Sequence, residues 1–238
     1  MAIGNLYLFP NTLGSEQSGH VIPAEVAGLI QHIRHFSVED VRSARRLLRK
    51  LDRQFPIDDS QFYVLNKKTE GGAIEQQAKC LLAGNDLAII SEAGCPGVAD
   101  PGARLVARAH ELGIRVQPLV GPSSILLALM GSGFNGQHFS FHGYLPKDRK
   151  DRIRSLKQFE YLSQKEGSTH LFMDTPFRNM NVLEDLLNEL HDETKLSIAS
   201  NLTLPNEKVQ TYTVREWRKL AYDLNKVPVL FSIGISQS

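Results

Sequence analysis

The chain has 238 residues, 42% of them hydrophobic and 22% charged, with a formal net charge of +1. That length supports one large domain or two of roughly 100 to 150 residues, and the near-neutral balance excludes a global field for nucleic acid or membrane, so a polyanion would have to meet a local patch. No apolar run approaches the roughly 18 residues of a membrane helix; the start MAIGNLYLFP lacks the basic flank of a signal peptide; and two separated cysteines, Cys80 and Cys95, point away from a disulfide framework or metal site and toward a reducing cytoplasm.

In chain order, Leu6 to Phe9 reads as a short strand, and a helix is expected over Ala24 to Ile33, with Pro23 suited to its first turn. HFSVED is a strand and Val41 to Leu51 a basic helix. FYVL at 62 to 65 is another strand, and Ala73 to Ala83 is a helix stopped by Gly84. Leu87 to Ile90 has the apolar content of a buried parallel strand. A helix from Ala103 to Leu112 and a strand in IRVQPLV complete this half. Strands separated by helical stretches imply βαβ units and a parallel sheet. VGPSS at 120 to 124 then turns the chain into an apolar helix, Ile125 to Met130. Beyond it come a strand in HFSFHGYL, a helix from Asp148 to Leu162, a strand in THLFMD, a helix from Met180 to Leu190, and strands at 195–201, 208–213 and 228–234. Strands outnumber helices here, so antiparallel pairing is expected. The fold class that follows is α/β: two α/β domains, 1–119 with a mostly parallel sheet and 120–238 with a mixed or antiparallel one, and a cofactor cleft between them.

The stretch SEAGCPGVADPG, residues 91–102, follows a strand and precedes a helix. Its glycines permit close approach or positive φ, and its prolines stiffen it, which makes a loop whose backbone is the binding surface. Open α/β sheets bind ligands at such places, beyond the carboxyl ends of strands. The plainer reading is a tight βα connection with Asp100 as helix cap and Pro101 in the first turn. GSGFNG at 131–136 matches a dinucleotide fingerprint in letters only, because it ends a helix and precedes a strand; it reads as a helix C-cap and turn. His138 and His142 alternate on a strand and find no third metal ligand nearby. Two basic clusters remain. Arg42, Arg45, Arg46, Arg49, Lys50 and Arg53 dominate one helix, and Lys147, Arg149, Lys150, Arg152, Arg154 and Lys157 crowd another. They are either solvated helix faces or, if they line one cleft, phosphate contacts for RNA.

Taken in order, LAIISEAGCPGVADPG, ELGIRVQPLVGPSSILLALMGSG and FSFHGYLPKDRKDR resemble the tetrapyrrole methylase superfamily of S-adenosylmethionine-dependent methyltransferases. Within it the chain is most similar to the branch that methylates a ribose 2′-hydroxyl of a cytidine in 16S ribosomal RNA. LYLFPNTLGS is similar to the family's first strand and cofactor loop, and VEDVRSARRLLRK to its Glu-Asp-Thr-Arg helix start, with Val41 in place of the threonine. LFMDTPFR stands for a Glu-Ser-Pro-His-Arg segment, with Asp174, Thr175 and Phe177 as departures. IASNLTLPNE has Ser200 and Asn201 where the branch carries Arg-Glu. The resemblance implies S-adenosylmethionine as cofactor, held by Pro10, Gly94, Cys95, Pro96, Val98, Ala99, Ser123 and Ser124, with Met173, Asp174 and Leu202 from the second half. It also implies no metal, ribosomal RNA or the small ribosomal subunit as partner, and a homodimer; a methyltransferase of a tetrapyrrole or other small molecule, or a non-catalytic paralogue that binds cofactor or RNA, is the alternative. A ribose hydroxyl is a poor nucleophile, so a carboxylate base would help. Glu39 and Asp100 are the candidates, with Arg42 positioning a phosphate, and each of the three could instead be a capping or ion-pair residue.

Overall fold

The computed structural model describes residues 3–66, 69 and 71–235 and divides into two compact units, Met1–Ser123 and Ser124–Ser238. In the first unit the elements run β1 (Leu6–Phe9), α1 (Ala24–Leu29, continued by a 3-10 turn Ile30–His32), β2 (His35–Val38), α2 (Val41–Leu51), β3 (Gln61–Val64), α3 (Gly71–Leu82), β4 (Leu87–Ile90), α4 (Ala103–Glu111) and β5 (Val116–Pro118). All pairings are parallel, in the order β3-β2-β4-β1-β5. Period-two alternation splits the central strand between two cores. Leu87 and Ile89 of β4 pack with Leu81 of α3 and Leu105 of α4. Ala88 and Ile90 face the other way, toward Leu47 and Leu48 of α2 and Phe36 of β2. Helices therefore cover both faces, as an all-parallel sheet requires.

The order places β1 and β4 side by side, in register from Leu6 opposite Leu87 to Phe9 opposite Ile90. The chain leaving β1 goes to the α1 and α2 face and the chain leaving β4 goes to the α4 face. Loops that part to opposite faces at neighbouring carboxyl ends leave a crevice, the position where open parallel sheets take ligands.

The second unit comprises α5 (Ser124–Ser132), β6 (Phe139–Tyr144), α6 (Arg149–Glu166), β7 (Thr169–Met173), α7 (Asn179–Glu189), β8 (Lys195–Ser200), β9 (Lys208–Thr213), α8 (Val214–Trp217) and β10 (Val229–Gly234). Its sheet, β6-β7-β10-β8-β9, is mixed: only β6 and β7 pair in parallel. Leu196 and Ile198 of β8 and Phe231 and Ile233 of β10 form one core with α6, α7 and α8. On the other face α5 is tied down by Thr211 Oγ1, which donates to Ser132 O at 2.8 Å. The GSGFNG stretch is the end of α5 followed by a turn, with Gly133 at φ +73°.

Local chemistry explains where these elements begin and end. Asp148 caps α6 by accepting from Asp151 N at 3.0 Å, and Gly167 at φ +66° closes it. The helix therefore runs to Glu166, four residues beyond the sequence expectation, because nothing before Gly167 stops it. α8 escaped the sequence reading although its signal is present: Thr213 and Glu216 form a reciprocal capping box. Four residues carry too little periodicity to register as a helix.

Candidate functional site

The crevice is built by the loops after β1, β2 and β4. Asn11, buried just beyond β1, stitches the first to the third: its N–H donates to Gly94 O at 2.9 Å and Gly94 N returns the bond to Asn11 O at 3.2 Å. The Asn11 amide also donates to the carbonyls of Ser91 (2.9 Å) and Glu92 (3.1 Å). Inside the loop, Ser91 Oγ donates to Gly94 O at 3.0 Å. Gly94 adopts φ +68°, and a Cβ there would lie 3.2 Å from Pro122 O, so only glycine suits both the turn and the packing. Gly121 is excluded from bearing a side chain more strictly, since its Cβ would fall 2.2 Å from Cβ of Pro10. Cys95 Sγ donates to Pro122 O at 3.4 Å, and burial pushes its thiol above the ordinary range. Gly94 and Cys95 are thus packed on Pro122 and Gly121 on Pro10, in a loop where Pro96 is also buried. Val98 (51% exposed) and Ala99, at φ +55°, form its open rim.

Asp100 is not the helix cap that the sequence suggests. Its Oδ1 accepts from Gly97 N at 3.1 Å and Gly102 N at 2.7 Å, clasping the loop on itself, while α4 starts at Ala103 with Gly102 as its cap. The same carboxyl meets Glu39, the residue after β2, in a side-chain hydrogen bond. Two carboxyl groups can share a hydrogen bond only if one holds a proton. Burial first, then the bond to Asp100 and the charges of Asp100 and Glu92, push the Glu39 carboxyl up to about 7; a hydrogen bond from the Glu92 backbone opposes the shift. Glu39, Asp100 and Glu92 are therefore brought together from two loops. Arg42 is exposed in the first turn of α2, where Asp40 is the N-cap and accepts from Ser43 N at 2.8 Å.

Asn11, Glu92 and Ser43 were missed by sequence reasoning. Glu92 stands within the loop that the sequence singles out, and Ser43 Oγ donates to its Oε2 at 3.1 Å. Nothing local marks Asn11, because its partners lie about 80 residues away in the chain.

The remaining candidates lie in the second unit. Ser124 opens α5. Met173 ends β7 opposite Leu230 of β10, and Leu230 also faces Ala199 of β8, so the loops after β7 and β8 leave the same edge of that sheet. Asp174, buried there, accepts from Thr175 N at 2.7 Å and pairs with Arg178 at 3.0 Å. Leu202, 8% exposed, sits between Asn201 (φ +51°) and Thr203 (φ +69°). Non-glycine residues in the left-handed region are uncommon, and two so close together mark a constrained loop.

The second basic cluster is largely spoken for. Arg149 and the buried Arg152 both clamp Asp185, at 2.8 and 2.7 Å, Arg154 pairs with Asp151, and Lys157 with Glu189. His142 Nε2 lies 2.9 Å from His170 Nδ1, and His170 Nε2 lies 2.9 Å from Ser168 Oγ, a chain packed against Phe159. Among the described residues no group of three or more His, Cys, Asp or Glu side chains could hold a metal ion, and no helix is long and apolar enough to cross a membrane.

Comparison with known proteins bears on this geometry. Residues 24–217 match the family of Tetrapyrrole (Corrin/Porphyrin) Methylases. The chain is 32% identical over 226 residues to the ribosomal RNA small subunit methyltransferase I of Synechocystis, covering 95% of this chain and 76% of that protein. It is 30% identical over 211 residues to the protein of the same name from Vibrio cholerae, covering 89% and 69%. Among solved structures, that of the methyltransferase CobJ superposes with a TM-score of 0.64 at 15% identity, over 97% of this chain and 94% of that one, a likeness of fold.

Proposed function

The chain belongs to the tetrapyrrole (corrin/porphyrin) methylase family, and on that footing we propose that it methylates ribosomal RNA of the small ribosomal subunit, at a ribose 2′-hydroxyl, with S-adenosylmethionine as donor. The observation that carries this reading is the Glu39–Asp100 carboxyl pair standing beside a stitched, glycine-rich loop at the carboxyl ends of a parallel sheet.

The loop's open rim suits the cofactor. Space is free where a Gly97 Cβ would stand, Val98 offers an apolar surface, and backbone groups do the rest. An adenine, a sulfonium and an amino-acid head can be met by such a surface with few charged side chains. We assign Pro10, Gly94, Cys95, Pro96, Val98, Ala99 and Ser123 to it. Within the second unit we assign Ser124, Met173, Asp174 and Leu202 the same role on the family resemblance, supported by the shared sheet edge of the last three. When bound, the cofactor supplies a methyl group on a sulfonium, whose leaving group needs no acid.

What this chain must supply is orientation and a place for the hydroxyl proton. Glu39 takes that proton. A carboxyl with a pKa of about 7 is partly ionised at neutral pH and basic enough to accept it, as general-base catalysis favours. Asp100, fixed by two amides, holds Glu39 in place. Arg42 is assigned to a substrate phosphate.

The test is methyl transfer from labelled S-adenosylmethionine to small ribosomal subunits purified from cells lacking this gene. Label in 16S RNA that ribonuclease releases is the expected result. Glu39→Gln should lower turnover roughly 100-fold or more, the scale of a lost general base, with cofactor affinity retained. Label confined to small molecules, or no transfer by protein that demonstrably binds the cofactor, would overturn the reading.

A further inference from the structure

Beside the carboxyl pair lies a cavity of about 340 Å³, between α2 and the loop that follows β1. Its α2 wall is Ser43, Arg46, Leu47 and Lys50, a spacing that puts all four on one helical face. The loop wall includes Thr12 and Ser15. The Lys50 ammonium donates to Ser15 O, to which Thr12 Oγ1 also donates at 3.3 Å, so the wall is anchored to the helix.

The cations of α2 are not equivalent. Arg45 lies over the Phe62 ring at 5.3 Å and Arg49 donates to Arg53 O at 2.6 Å. Arg46 lines this cavity and, among the described residues, has neither a carboxylate nor a hydrogen-bond partner. Glu92 lines the same cavity, held by Ser43, and its charge also acts on the Glu39 carboxyl. Glu16 adds a further carboxylate to the lining. A pocket lined by cations and carboxylates together is a poor sink for a bare anion. It complements a ligand that carries both a negative charge and hydroxyl groups.

We propose that this cavity seats the acceptor nucleotide of the RNA, its phosphate on Arg46 with Lys50 as the second charge, and its sugar directed toward Glu92 and the Glu39–Asp100 pair. This rests on the RNA-methylating reading above and adds a place and an orientation for the substrate. Arg46 is a positioning residue, since it meets a phosphate and not the reacting atoms. A guanidinium can grip phosphate through two parallel N–H bonds, whereas an ammonium acts as a point charge.

The experiment measures methyl transfer to small ribosomal subunits over a range of salt for the wild type, Arg46→Gln and Arg46→Lys. Loss of one phosphate contact should raise KM about tenfold and reduce the slope of log KM against log salt by about one. The loss should fall on KM rather than kcat, cofactor affinity should be unchanged, and Arg46→Lys should recover the salt slope. A wild type that methylates the subunit while Arg46→Gln matches it in KM and salt slope overturns this assignment and leaves the function standing. If the wild type transfers no methyl to the subunit, the function fails, and titration of cytidine 5′-monophosphate into isotope-labelled protein decides the pocket alone. Amide shifts at Thr12, Ser15 and Ser43 that vanish in Arg46→Gln uphold it; their absence in the wild type overturns it.

Discussion

Glu39 shows how far one residue can be understood from its neighbours. In the sequence it is an acid at the end of a strand, equally able to cap a helix or pair with a cation. In the structure the neighbouring Asp40 does the capping, which frees Glu39 to meet Asp100, and burial first, then that neighbour, raise the Glu39 carboxyl to about 7. If Glu39 is the base, kcat should rise with pH through about 7 and level off above it, because only the ionised carboxylate accepts a proton. Residual activity of Glu39→Gln should lack that inflection. An inflection that persists unchanged in the variant would move the base elsewhere. Asp100 stands out in the sequence from its place in the loop; in the structure its Oδ1 accepts from Gly97 and Gly102, which binds the loop and not the helix.

Among the elements, α6 separates charge that builds the fold from charge left for a ligand. Its run of cations looks in the sequence like a counterpart to α2. Arg152, 5% exposed, instead spends its charge on Asp185 of α7, itself 2% exposed, with Arg149 as a second partner. The exposed pairs, Arg154 with Asp151 and Lys157 with Glu189, contribute little, between zero and about 1 kcal/mol each. The buried one is different: Asp185→Ala would strand the Arg152 guanidinium in the interior, at a cost of about 3–5 kcal/mol. Urea unfolding should show a markedly lower midpoint, whereas Asp151→Ala should move it very little. Equal effects of the two substitutions would show that burial does not govern this helix. On α2, by contrast, Arg46 keeps its charge for solvent or ligand, which is why the two clusters carry unequal weight.

For the whole molecule the pH dependence of stability includes two groups whose large shifts oppose each other. The folded protein holds Glu39's proton to about 7, against an ordinary 4.5, so its contribution is complete below 4.5 and is lost as pH rises through 7. His170, 3% exposed, has its pKa lowered to about 4 from 6.5, by burial first and then by the nearby His142. Its contribution is present above 6.5 and is lost as pH falls through 4. Between about 4.5 and 6.5 the two slopes partly cancel in the wild type. Glu39→Gln removes one of them, so the Tm of the variant should climb more steeply with pH across that window. Superimposable profiles for variant and wild type would contradict the Glu39 assignment.

The local sequence determined whatever depends on periodicity and backbone chemistry. Four apolar residues at 87–90 specified a strand buried on both faces, Gly84 marked a helix end, and the glycine and proline content of 91–102 marked a stiff connection between a strand and a helix. It also placed GSGFNG at the end of a helix, the wrong context for a dinucleotide fingerprint. Short range limited this reading, since α1 gives way to a 3-10 turn at Ile30 and α8 is too brief to show a period. Only tertiary structure decided which polar groups meet: Asn11 with Ser91, Glu39 with Asp100, Arg152 with Asp185. Each of these pairs joins segments distant in the chain, and its chemistry depends on burial and on the neighbouring charge. A residue's identity states what it can donate or accept, and the fold supplies the partner that sets its charge.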